Sequence, residues 1–248
     1  MLDVADPHNC VHCPLQECEA LRPLDEAQAH YINSIKKGEF LVARGESLLT
    51  EAENGRHLYT ILEGVFIRFR SLEDGRRQIV NFMFPGDLVG LQAAFDNPAN
   101  HSVEALTPAR VCFFDRADFV KLIQDSPLLG YDVTWLAAKE ETALENHIVS
   151  LGQRSARERV IFLAIWLIDR ARATGVAAEG NKLALSLTQS QVADMLGLSL
   201  VHTNRTMRAL HLDGLVEWGQ KEICIPNMDA AADLVGFSRS GEGQRPYI

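Results

Sequence analysis

Apolar and polar residues follow three rhythms along this chain. From residue 40 to residue 116 they alternate in short runs broken by glycines, as in LYTILEG, VFIRFRSLEDGRRQIVNFMF, PGDLVG and ARVCFFD. A period of two puts successive side chains on opposite faces of a strand. Val65, Ile67 and Phe69 fall on one face and Phe66, Arg68 and Arg70 on the other, and Glu73-Asp74-Gly75 is a hairpin turn signal. Many short strands at close spacing predict a sandwich or jelly roll over residues 31–124.

The rhythm changes at Pro127. From there to Gln153 the only glycines are Gly130 and Gly152, and Val133, Leu136, Ala137, Leu144, Ile148 and Leu151 form a helical stripe. This predicts a helix over residues 125–152 that runs roughly 30 Å or more at about 1.5 Å per residue. A long stripe between two domains needs a cover, either its own barrel or the same helix of a second copy. The longest apolar run, Val160 to Ile168, is far too short to span a bilayer and reads as a buried helix.

The third rhythm is Thr188 to Arg208, TQSQVADMLGLSLVHTNRTMR. Thr188 and Gln191 make a capping box, Val192, Ala193, Met195 and Leu196 an apolar face, and Gly197 a turn. Ser199 then caps a second helix carrying Val201, His202, Asn204, Arg205 and Arg208. That is the form of a helix-turn-helix. Arg205 can donate to guanine O6 and N7, and Asn204 can pair with adenine or a phosphate. Leu212 to Ile225, LDGLVEWGQKEICI, adds two short strands joined by turns, a wing on that motif.

Composition, 47% hydrophobic and 23% charged over 248 residues, is that of a globular protein with real cores. The N-terminus MLDVADPHNC shows no signal peptide, so a cytoplasmic location is the default. The net charge of −9 is uneven: residues 153–248 hold 11 Lys+Arg against 10 Asp+Glu, which leaves 13 against 23 for residues 1–152. Phosphate contacts therefore have to come from placed residues, Arg154, Arg157, Arg205, Arg208 and Lys221, and binding should weaken steeply with salt. Three of the five cysteines crowd together as Cys10-x2-Cys13-x4-Cys18, and Cys112 lies in the ARVCFFD strand. In a cytoplasmic protein this reads as metal ligation rather than disulfides. Zinc, with His8 or His12 as a substitute ligand, and a vestigial arm with a buried Cys112 are the alternatives. Cys224 reads as a core residue of the wing.

With barrel, long helix and winged helix in that order, the chain resembles the CRP/FNR family of transcription regulators over nearly its whole length. Leu58 to Gly64, EDGRRQIV at 73–80, PGDLVG at 85–90 and LGLSLVHTNR stand in the family's order and spacing. The resemblance implies an α+β fold: a cysteine-containing arm (1–30), a β jelly roll of the cyclic-nucleotide-binding type (31–124), a dimerisation helix (125–152) and a winged helix-turn-helix (153–237); the polar, glycine-rich tail (238–248) is expected to be mobile. It implies a regulator rather than an enzyme, a homodimer on a palindromic DNA operator, and RNA polymerase as a partner. Within the helix stripe, Glu140, Glu141 and Glu145 could set the dimer balance by repulsion between subunits.

Family members that bind cyclic nucleotides carry a Gly-Glu pair and an Arg-Ser or Arg-Thr after the PGD turn. Here GLQAAFDNPANHSVEA has neither, and a buried phosphate without a cation is costly, so no cyclic-nucleotide effector is expected. The cysteines resemble the oxygen-sensing FNR branch, which implies a [4Fe-4S] cluster on Cys10, Cys13, Cys18 and Cys112 that favours the DNA-binding dimer until oxygen degrades it. The x4 gap before Cys18 is short for that branch. Best-known members place a glutamate four residues before the recognition arginine, where this chain has Val201. Valine can touch a thymine methyl but cannot accept from cytosine, and His202 is the nearest polar substitute. A cluster-free regulator of another signal, an iron-sulfur electron carrier and a cupin-like metalloenzyme are the competing readings. The last lacks a His-x-His and Glu set, since His57 and His101 stand apart.

Overall fold

A computed structural model of the chain describes residues 2–92, 98–176, 180–238 and 244–248. The barrel comprises β1 (Asp3–Ala5), α1 (Glu26–Ile35), β2 (Lys36–Val42), β3 (Ser47–Leu49), β4 (His57–Glu63), β5 (Phe66–Ser71), β6 (Arg77–Met83), β7 (Leu88–Val89), β8 (Ser102–Ala105) and β9 (Ala109–Asp115). The strands form two antiparallel sheets, β1-β2-β9-β4-β7 and β3-β8-β5-β6. Their facing side chains, among them Ile61, Phe66, Val103 and Val111, make one core. Gly64 joins β4 to β5 at φ +90°, where a Cβ would lie 2.6 Å from that of Ala109, so only glycine lets the hairpin close.

The period of two on β5 carries a second meaning. Phe66 packs between the sheets, but Val65 and Ile67 on the other face are equally buried, in a different cluster. That cluster is built on α4 (Ala156–Arg172), whose Val160–Ile168 run is buried along its whole circumference. One side of α4 meets Phe82 and Phe84 of the barrel; the other meets Met207 and Leu210 of α6 (Leu200–Leu212) and Ala231 of α7 (Met228–Val235). A helix apolar all round needs such double cover.

Between barrel and α4 run α2 (Asp118–Asp125) and α3 (Pro127–Gln153). The C-terminal unit adds β10 (Lys182–Leu183), α5 (Gln189–Leu196), β11 (Glu217–Trp218) and β12 (Ile223–Cys224), with the three strands in one small antiparallel sheet, β10-β12-β11. The two units also touch directly: Arg77 Nε donates to Asp194 Oδ2 at 2.6 Å and Gln78 Nε2 to the Met195 carbonyl at 3.0 Å.

Both ends of the chain pack on the barrel. In the expected cysteine-containing arm, residues 1–30, β1 pairs with β2 as an edge strand, and α1 crosses residue 30. The tail was expected to be mobile. Its residues 239–243 lie outside the described residues, but the expectation is corrected for 244–248. Arg245 accepts from the Arg22 N–H at 2.8 Å and donates to the Ala20 carbonyl at 3.2 Å, and Tyr247 and Ile248 are buried. The polar, glycine-rich composition concealed two apolar side chains with a pocket to fill. Among the described residues no helix is long and apolar enough to cross a membrane.

Candidate nucleic-acid interface and the buried cysteines

The Thr188 hydroxyl accepts from the Gln191 N–H at 3.1 Å, and the Gln191 side chain accepts from the Thr188 N–H at 2.9 Å, closing the capping box. Gly197 ends α5 at φ +61°, in the left-handed region, with Leu151 of α3 close against it. Ser199 caps α6 by accepting from the His202 N–H at 3.2 Å. The helix pair then buries Val192, Ala193, Met195 and Leu196 of α5 and Thr203, Thr206, Met207 and Leu210 of α6. Val201, Asn204, Arg205 and Arg208 are left exposed, with His202 half-buried beside them. Residues three and four apart share one side of a helix, so these form a single outward stripe.

Gln189, which sequence reasoning passed over, belongs to this surface. Its Nε2 donates to Asn204 Oδ1 at 3.2 Å, tying the two helices together. Two of the expected phosphate contacts are otherwise engaged. Arg154 stacks on Phe162 at 4.1 Å and donates to the Val235 carbonyl, and Arg157 pairs with Asp213 at 2.5 Å. Arg205, Arg208 and Lys221 remain exposed.

Cys10 opens a single 3-10 turn, Cys10–His12, and Cys13 leads into a second, Pro14–Glu17. The Cys10 N–H donates to Asn33 of α1 at 3.1 Å. Below them the arm is pinned by Glu39, buried on β2 and bonded to Lys36 and Arg110, both at 2.5 Å, and to His8. Burial pushes the Glu39 carboxyl up, but the hydrogen bonds from Lys36, His8 and Arg110 outweigh it and hold it below the ordinary range. His8 Nδ1 is thereby held by a carboxylate, as the second ring nitrogen of a metal-ligating histidine commonly is.

Cys10, Cys13 and Cys112 share one buried apolar cluster with Leu21, Leu58, Phe114, Tyr247 and Ile248. Burial raises the Cys10 thiol, pushes Cys13 up to about 11 and pushes Cys112 up to about 12. Cys18 stands half-buried at the edge and faces the loop after α4, where a Cβ on Gly175 would meet its Sγ at 2.4 Å. Among the described residues no three His, Cys, Asp or Glu side chains stand close enough to hold a metal ion. The four thiols fit an iron-sulfur group in kind and number; Cys10, Cys13 and Cys112 lie within one apolar cluster and Cys18 packs against its edge. Cys224 is buried in the wing sheet, as expected.

The stripe on α3 divides. Val133 and Leu136 are buried within this chain, Ala137 is exposed, and Leu144, Ile148 and Leu151 line the outer half, with Ile148 67% exposed. Glu140 is not free to repel a partner: it accepts from Arg68 at 2.7 Å and Asn81 at 2.8 Å. Glu141 and Glu145 are exposed.

Two family models match, a cyclic nucleotide-binding domain over residues 32–126 and a Crp-like helix-turn-helix domain over residues 163–234. The FixK nitrogen fixation regulation protein of Bradyrhizobium diazoefficiens is 31% identical over 210 residues, 84% of this chain and 86% of that one. The chain belongs to the CRP/FNR family of transcription regulators. Another CRP/FNR relative, the transcriptional activator FnrL of Cereibacter sphaeroides, is 24% identical over 237 residues, 94% of each chain. The solved structure of FixK2 from Bradyrhizobium japonicum aligns with a TM-score of 0.69 at 27% identity, covering 79% of this chain and 96% of that one. The CRP/FNR assignment makes the chain a DNA-binding regulator and not an enzyme.

Within this CRP/FNR fold the sequence did not disclose one hub. Asp87, in the PGD turn, is buried and accepts from the Phe84 N–H at 2.8 Å. It is also paired with Arg170 of α4 and with Arg245. Burial pushes its carboxyl up, but the charges of both arginines outweigh it and hold it below the ordinary carboxylate range. One carboxylate thus ties barrel, DNA-binding unit and C-terminal segment together.

Proposed function

We propose that this CRP/FNR regulator acts as a homodimer on a palindromic double-stranded DNA operator, and that a [4Fe-4S] cluster on Cys10, Cys13, Cys18 and Cys112 controls its affinity, adjusting gene expression when oxygen is low. The observation that carries the DNA part is the exposed stripe of Val201, Asn204, Arg205 and Arg208 on a helix capped and positioned by its partner. Support for the regulatory part comes from three of the four thiols sharing one buried cluster with barrel and C-terminal residues. Bound there, the cluster supplies an oxygen-labile redox centre. The chain's own residues then couple the arm to the DNA-binding unit, since Tyr247 of that cluster is two residues from Arg245, which shares Asp87 with α4.

Ile148 and its neighbours on α3 offer an apolar strip for the second subunit, with Glu141 and Glu145 at its side. A cyclic nucleotide is not the effector in this reading: Arg68 and Arg245, which both line the crevice between α3 and barrel, are already paired with Glu140 and Asp87. RNA polymerase is the expected partner and the cytoplasm the expected location. The name of FnrL supports activation as the direction of control.

The test is iron, sulfide and visible absorption of full-length protein purified without oxygen, with operator binding measured before and after air. Colour and affinity lost together are expected. An iron-free protein that binds equally in air would replace this reading with the cluster-free regulator, which one observation favours, the contact of Cys18 with the Gly175 loop.

A further inference from the structure

The recognition helix begins with an apolar tip that no described residue covers: Val201 is 80% and Leu200 52% exposed, on its first turn. The N-terminal residues of such a helix are the ones that meet base edges. Beside Val201 stands Asn204, whose Oδ1 is taken by Gln189. That oxygen can still accept a second bond, but the tie to Gln189 fixes the Asn204 amide to α5. Val201 and Arg205 stand four residues apart on the same outward stripe, both exposed. The major groove displays a single apolar feature, the C5 methyl of thymine.

We propose that Val201 is a specificity-determining residue that reads a thymine by its methyl group in each operator half-site. This rests on the DNA-binding reading above. Val201 and Arg205 are one turn apart, about 6 Å along the axis. With base pairs stacked at about 3.4 Å, the thymine lies one to two pairs from the guanine that Arg205 takes. The half-site is thereby a guanine read by charge and a thymine read by shape.

Selection of a random duplex library on the full chain, for wild type, Val201→Ala and Val201→Glu, tests this. The best wild-type duplex is then remade with deoxyuridine for each thymine in turn, which removes only the methyl. One thymine per half-site is expected to matter, with wild-type affinity falling about fourfold for each half-site changed, while Val201→Ala is indifferent to the change. Val201→Glu should select cytosine at that position, because a carboxylate accepts from its amino group. Unchanged wild-type affinity for every deoxyuridine duplex overturns the inference, as does equal sensitivity in Val201→Ala. If wild type enriches no sequence at all, the DNA-binding reading itself fails; a clear consensus without methyl dependence sinks only the role of Val201.

Discussion

The His147 ring stands edge-on to Trp166 at 4.8 Å and to Phe162 at 6.4 Å, with Nε2 3.3 Å from Asn81 Oδ1. Burial pulls its pKa down to about 4, against about 6.5 in an unfolded chain. As pH falls the unfolded state takes the proton first, so this group's contribution is complete above about 6.5 and is lost between there and the folded value. Urea unfolding should show wild type losing about 2 kcal/mol more than His147→Leu between about pH 7 and about pH 5; equal losses would acquit the histidine. Asp87 sets a second test, because its removal strands two part-buried arginines. Asp87→Ala should cost about 3–5 kcal/mol, more than Arg245→Ala, which leaves the Arg170 pair in place. The PGD turn was legible as a turn from its residues alone. Its partners were not, since they lie 83 and 158 positions away and arginines on a polar background carry no sign of what they face.

At the scale of elements, the helix pair was legible because its signals are local: a capping box, a glycine turn and an apolar period all act within four residues. The barrel strands were legible for the same reason, through alternation. The second cover on β5 was not, because alternation says which face is apolar but not whether a helix closes the other. The least legible element is the segment 244–248, whose Tyr247 and Ile248 complete the cluster around Cys10, Cys13 and Cys112. Removing these five residues, or Tyr247→Ala, should expose that cluster. Alkylation of Cys112 followed by mass spectrometry is expected to be faster in both variants than in wild type. An unchanged rate would show that the barrel alone shields the thiol.

Across the whole molecule, the hairpin after β5 reaches the DNA-binding unit through Arg77 and Asp194, 2.6 Å apart and both partly exposed. A double-mutant cycle of Arg77→Ala and Asp194→Ala, read in unfolding free energy, should give a coupling of about 0.5–1 kcal/mol, and the same pair should alter operator affinity if the contact sets the orientation of α6. Operator binding itself should fall steeply with salt even though the chain carries a net charge of −9, because Arg205, Arg208 and Lys221 act locally. The distribution of charge was readable from the sequence; which arginines were free to use it was not, as Arg154 and Arg157 show.

The joining of the two ends also fixes an order of events in synthesis. Gln244 donates to the Glu19 carbonyl across 225 positions of sequence, so residue 19 finds this neighbour only after those positions have followed it out of the ribosome. Contacts so distant in sequence form late. Until then Cys10, Cys13 and Cys18 lack the lid that Tyr247 provides, and newly made protein passes through an interval in which its thiols are open to whatever chemistry the cell brings to them.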